Sequence, residues 1–184
     1  ITLDPADTAT LQGTTTAAAV NGVATFTGLR VDRAGPHRLM AYSGSLVPAQ
    51  GTQSSITHAE PATLTFTSFP TRVMAGFPFN TTLQVRDAFG NRANSVSSQA
   101  TIALDGNPSG AAMQGVTSKV MGMGEVLFMD LKIAKAATGY SLSASVDGLN
   151  AASGPLEIFP AFPDRVVVLT QPASAGHGAG GARA

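Results

Sequence analysis

Residues Asn21–Val31 read NGVATFTGLRV, and Met123–Ile133 read MGEVLFMDLKI. Laid over one another, Phe26 falls on Phe128, Leu29 on Leu131 and Val31 on Ile133, each 102 positions apart. The match runs outward in both directions. Leu11-Gln12-Gly13 falls on Met113-Gln114-Gly115, Ile56 on Ile158 and Pro61 on Pro163, all at the same offset. Leu39, Ala41 and Leu46 meet Leu142, Ala144 and Leu149 at 103, so one residue is gained before them. Self-similarity at a fixed period marks a chain built from repeated structural units. At this period the 184 residues divide into three parts. Residues 1–60 match the later part of a unit, 61–162 form one complete unit, and 163–184 begin a further one.

Within 61–162 the apolar residues recur at every second position, the pattern of half-buried strands. Leu64 and Phe66 alternate with Thr; Phe79, Thr81, Leu83 and Val85 share one face of FNTTLQVRD. Ile102 with Leu104, Val126 with Phe128, Tyr140 with Leu142, Ala144 and Val146, and Leu156 with Ile158 continue the series. A short strand at Met113 brings the count to about seven per hundred residues, that of an immunoglobulin-type sandwich. AGFP, DAFGN, DGNPSG, ATG and DGLN supply the turns between them. No apolar stripe holds a helical period for three turns. The expected fold is all-β: tandem immunoglobulin-like sandwiches of about seven strands per unit.

Composition narrows the function classes. Only 12% of residues are charged, and 11 bases balance 11 acids, so no basic surface for nucleic acid is expected. Cysteine is absent, which removes disulfides, thiolate catalysis and cysteine metal sites together. No apolar run reaches the length of a membrane span. The chain opens ITLDPAD and closes AGHGAGGARA, and is read as an internal fragment of something longer. Its Gly/Ala-rich tail has too little apolar surface to offset ordering entropy and is expected to be disordered.

The order AG-F-F, VRDAFGN, TIAL, LQGTTT with NGVATFTGL, then ATGYSLSAS with GL-A-S resembles a bacterial Ig-like repeat. Such modules, of the invasin-like and filamin-like kind, occur in tandem in large surface and secreted bacterial proteins. The resemblance implies an extracellular or cell-surface setting, with neighbouring Ig-like repeats as partners. It also places a corner tyrosine at Tyr140, whose hydroxyl ties down nearby backbone. In the first segment that position is His37, which leaves the corner there without its tyrosine.

Candidate chemistry is sparse. His37, His58 and His177 show no metal-ligand spacing. No GxSxG elbow accompanies the abundant serines. Asp87 with Asn91, and Asp105 with Asn107, offer oxygen atoms to calcium, but six to eight ligands are needed and neighbouring acids are missing. Turn formation is the preferred reading: Asp87 and Asn91 flank Gly90, which tolerates positive φ. Asn21-Gly22 is a two-residue hairpin turn by the same reasoning. Tyr42 is the best candidate for a sugar-stacking platform, though a single ring makes a thin site.

The expected role is therefore structural and non-catalytic: spacing and display in a multi-repeat surface or secreted protein, in support of adhesion. The alternative is a carbohydrate- or protein-binding accessory module of a secreted enzyme, with a surface glycan or protein as ligand. Phe26, Leu29, Phe128 and Leu131 are expected to face their own units' cores. Residues 1–60, lacking a unit's first strands, are expected to expose unpaired edges and apolar surface.

Overall fold

The computed structural model describes residues 1–167 and 169; the Gly/Ala-rich tail and Val168 lie outside them. Five strands occupy residues 1–60: β1 (Thr2–Leu3), β2 (Leu11–Gln12), β3 (Arg30–Val31), β4 (Gly35–Ala41) and β5 (Ala49–Ile56). The chain continues through β6 (Pro61–Ser68), β7 (Arg72–Met74), β8 (Phe79–Asp87), β9 (Gln99–Leu104), β10 (Met113–Gln114) and β11 (Ser118–Val120). It ends with β12 (Glu125–Ile133), β13 (Ala137–Tyr140), β14 (Leu142–Val146), β15 (Leu149–Ala152) and β16 (Leu156–Phe159). There is no helix among the described residues.

The strands from β6 onward form two layers. One sheet has the order β10-β12-β8-β6 and the other β11-β9-β14-β15; a short third sheet, β13-β16-β7, is joined to the second along the chain, β13 leading into β14 and β15 into β16. Taken in chain order, β6, β8, β12 and β10 make the A-B-E-D sheet and β9, β14 and β15 the C-F-G sheet of an immunoglobulin-like sandwich, with β11 added beside β9 at the edge. Strand β7 runs parallel to β16, so the first strand of the sandwich passes from one layer to the other. The alternation read from the sequence explains the packing: inward residues of both layers meet in one core that draws every member from Leu64 to Ile158. Phe128, Leu83, Leu131, Tyr140, Leu142 and Leu156 are fully buried there. Each such side chain contributes roughly 1.5–3 kcal/mol.

Residues 1–60 repeat part of this plan at the level of register. Leu11 pairs with Val31 and Gln12 with Arg30; Met113 pairs with Ile133 and Gln114 with Lys132. In the same way Leu3 pairs with Leu39 between β1 and β4, as Leu104 pairs with Leu142 between β9 and β14. Packing does not follow register. Phe128 sits on β12 opposite Thr81 of β8, whereas Phe26 lies outside any strand and is only half-buried, as is Leu29. Residues 1–60 contain no counterpart of β8 to cover them. Leu3 and His37 are the only residues buried in this segment. An apolar cleft of about 180 Å³ remains open between Leu3, Leu11, Leu29, Val31, Leu39 and Ile56.

The recurring Gln-Gly pair has a steric cause. Gly13 and Gly115 have φ of +101° and +105°, and a Cβ on them would stand 2.2 Å from the Gly28 oxygen and 2.6 Å from the Asp130 oxygen. Backbone fills the place of a side chain at both positions. Gly115→Ala is therefore expected to destabilise the sandwich by about 2–3 kcal/mol. Gly148, also at positive φ but facing open space, should cost only about 1 kcal/mol on the same change. Urea titration of the two variants checks the difference, and equal midpoints would contradict it.

The hairpin turns also repeat. Asn21 and Gly22 have φ of 48° and 79°, and Met123 and Gly124 have 53° and 74°. Both pairs carry the double positive φ that a type I′ turn requires. The first closes a Val20–Val23 bridge and the second a Gly122–Glu125 bridge. Asp164 to Val167 lie outside any strand, and Val166 is exposed.

Candidate functional site

The period-2 face of β8 does not stop at Val85. It continues to Asp87, which is only 2% exposed. A carboxylate at a buried strand end needs hydrogen bonds to replace water, and the DAFGN loop supplies them. Oδ1 accepts from the amides of Phe89 (2.9 Å) and Asn91 (2.8 Å). Oδ2 accepts from the Asn91 side-chain amide (2.9 Å) and from the amide of Ala59 (2.8 Å), which belongs to the stretch joining 1–60 to the sandwich. Gly90, with φ of 85°, lets the loop close around the carboxylate. Burial alone would raise the Asp87 pKa. The bonds from the Asn91 side chain and from the amides of Ala59, Asn91 and Phe89 outweigh it and hold the value at about 2.

Asn91 carries the loop across to the first segment. Its Oδ1 accepts from the amide of Ala34 (2.9 Å), and its Nδ2 donates to the carbonyl of Asp32 (2.7 Å). Around this pair, the Ser95 amide donates to His58 Nε2 (3.2 Å). The Arg30 guanidinium lies 6.0 Å from the Phe89 ring centroid. Asp87 and Asn91 thus act on the first segment only through main-chain atoms. The loop is a turn and a clamp at once.

This geometry bears on the calcium candidates. A carboxylate offers about four lone-pair directions, and four donors already face Asp87. Asn107 is engaged with Ala111, accepting from its amide (2.8 Å) and donating to its carbonyl (2.7 Å). Asp105 is exposed on the opposite loop. Among the described residues no three His, Asp, Glu or Cys side chains gather as a metal site. Tyr42 is 51% exposed, and the other tyrosine is the buried Tyr140.

Tyr140 donates to the Lys135 carbonyl (2.8 Å) and is held by the Ser109 hydroxyl. That is the corner expected of the fold. His37 builds the same corner by different chemistry. Its Nε2 donates to the Arg33 carbonyl (2.7 Å) and its Nδ1 to Asp7 Oδ2 (2.6 Å). Arg33 stands 102 positions before Lys135, and Asp7 102 before Ser109. The corner missing its tyrosine is thus rebuilt by a paired exchange of Tyr for His and Ser for Asp.

Carbonyl and carboxylate oxygens only accept, so both imidazole nitrogens must carry protons to make both bonds. The bond to Asp7 accordingly raises the His37 pKa above its ordinary 6.5, against burial, with the Arg33 carbonyl assisting and its guanidinium opposing. Asp7 is lowered in turn, first by the Ala9 amide and then by His37. A raised folded pKa stabilises fully below the unfolded value, and that stability is lost as pH rises through the folded one. The amide signals of Gly35–Ala41 are therefore expected to show weakening protection from pH 6 upward. The double variant His37→Tyr with Asp7→Ser, which copies the Tyr140 corner, should flatten that dependence. An equal slope in both proteins would refute the assignment.

No family model matches the chain, and no curated protein matches it. Among solved structures it is similar to a glycosyl hydrolase family 2 member from Bacteroides cellulosilyticus, with TM-score 0.47 and 15% identity over 70% of this chain and 19% of that one. A β-glycosidase from Bacteroides vulgatus gives 0.47 and 13% over 76% and 20%. The Escherichia coli adhesin FdeC gives 0.43 and 19% over 73% and 46%. The chain spans about a fifth of the glycosidases and under half of the adhesin structure. Such scores carry no functional weight, and the fold rests on the strand order above.

Proposed function

We propose that this chain is a non-catalytic structural spacer from a bacterial cell-surface or secreted protein of many Ig-like units, supporting adhesion or display. Residues 1–60 are then the later part of one unit and 61–162 a complete one. The observation that carries this reading is the clamp of Asp87 and Asn91 on Asp32, Ala34 and Ala59. A spacer transmits position, and it does so only where the angle between neighbours is fixed. Without such contacts, relative motion between domains is the default. The repeated positions agree: those shared between 1–60 and 61–162 serve turns, close backbone approaches and the corner, and a ligand site would have no reason to recur with them.

The rival reading is an accessory module that binds a glycan or a protein for a secreted enzyme. Titration of the full chain against a panel of soluble bacterial and plant polysaccharides, with and without calcium, separates the two. The spacer reading expects no saturable binding and no release of reducing sugar. Saturable binding abolished by Tyr42→Ala would replace it with the accessory reading.

A further inference from the structure

We propose that the far end of the sandwich, at Ala134, Ala136 and Ala161, is a socket for the Asp-x-x-Gly-Asn loop of a following Ig-like unit. This rests on the spacer reading and names the partner of its distal surface. The loop of residues 87–91 recognises three main-chain groups on the first segment: the Asp32 carbonyl, the Ala34 amide and the Ala59 amide. A site made of main-chain groups recurs wherever the backbone recurs, whatever the side chains.

The backbone recurs as far as the bend, beyond which Gly35, with φ of 137°, has no positive-φ counterpart at Ala137 or Thr138. Asp32–Ala34 forms the bend between β3 and β4, and Ala134–Ala136 forms the bend between β12 and β13. The strands entering the two bends share their register. Both bends are fixed from beneath by the same corner bond, from His37 to the Arg33 carbonyl and from Tyr140 to the Lys135 carbonyl. The residues on either side of that carbonyl are therefore turned the same way. Ala161 stands 102 positions after Ala59, just past the last strand of the sandwich as Ala59 is past β5.

The two ends differ in what covers them. At the bend Asp32 and Ala34 are half-buried beneath Asn91, whereas Ala134 and Ala136 are exposed; Ala59 and Ala161 are exposed alike. Among the described residues, neither the Ala134 carbonyl nor the Ala136 or Ala161 amide enters a loop or side-chain hydrogen bond. All three positions carry only a methyl group, which leaves the main chain open to an incoming Asp and Asn. Lys132 takes the place of Arg30 beside the socket and keeps a cation opposite the aromatic residue of an incoming loop.

The test is amide hydrogen exchange on the full chain and on the full chain with residues 61–162 duplicated in tandem. The core of that unit is closed within itself, so the added copy brings its own fold. In the unaltered chain Ala34 and Ala59 are expected to exchange slowly and Ala136 and Ala161 fast. In the duplicated chain Ala136 and Ala161 of the first copy should slow at least tenfold. Asn91→Ala in the second copy should release Ala136 while leaving Ala34 protected. Free exchange at Ala136 and Ala161 in the unvaried duplicate, with Ala34 still protected, overturns the socket alone. Free exchange at Ala34 in the unaltered chain overturns the spacer reading and the socket with it.

Discussion

Phe128→Ala is expected to destabilise the sandwich by about 3–5 kcal/mol, and the same change at its counterpart Phe26 by no more than about 1 kcal/mol. Phe128 has no solvent exposure and lies between the two layers. Its removal costs the transfer of a ring and leaves a cavity that rigid strands cannot close. Phe26 occupies the same place in the repeated pattern, but no strand covers it, and it is half in water already. For a unit of about a hundred residues the larger figure corresponds to a fall in Tm of roughly 15–30 °C. Thermal melts of the two variants against the parent check this. Equal losses would mean that 1–60 encloses a core of its own, contrary to the structure.

Asp87→Ala is expected to cost roughly 3–4 kcal/mol, because three amides and one side-chain donor lose an ionised acceptor at once. The effect has two parts that can be read separately. The loop from Phe89 to Asn91 loses its internal brace, which lowers the sandwich's own stability. The Ala59 amide loses its partner, which loosens the join to residues 1–60. Acid should reproduce the change in the unaltered protein. A depressed folded pKa stabilises above the unfolded value and is lost as pH falls toward the folded one, here between the ordinary 3.8 and about 2. Exchange at Ala59 and Phe89 followed down to pH 2 checks the window. Release of these amides already at pH 5 would point to another group.

Most of the all-β architecture is legible in the sequence. Period-2 alternation located the strands of the sandwich, and the Gln-Gly and Asn-Gly pairs marked places where the backbone needs positive φ. Strand count is less clear, since strands break at Ser141, around Gly154 and between Ser68 and Arg72, giving more and shorter segments than seven. Phe26 and Leu29 are only half-buried, against expectation, because an inward pattern yields burial only when a partner strand exists to cover it. The clamp was missed. Asp87 and Asn91 were visible as turn residues, but their partners are main-chain atoms, and a main-chain partner leaves no side-chain signature. One signal did exist. The alternating face Phe79, Thr81, Leu83, Val85 runs on to Asp87, and an acid on an inward face needs donors from somewhere. The His37 corner was equally within reach, because Asp7 answers Ser109 at the same offset that pairs Arg33 with Lys135.

A fixed angle between residues 1–60 and the sandwich, set by Asn91, is what the whole reading turns on. Amide residual dipolar couplings of the full chain in one alignment medium measure it most directly. Couplings from Gly35–Ala41 and from the sandwich strands are predicted to fit a single alignment tensor, and Asn91→Ala is predicted to split them into two. Two independent tensors in the unaltered chain would contradict the clamp and, with it, the spacer.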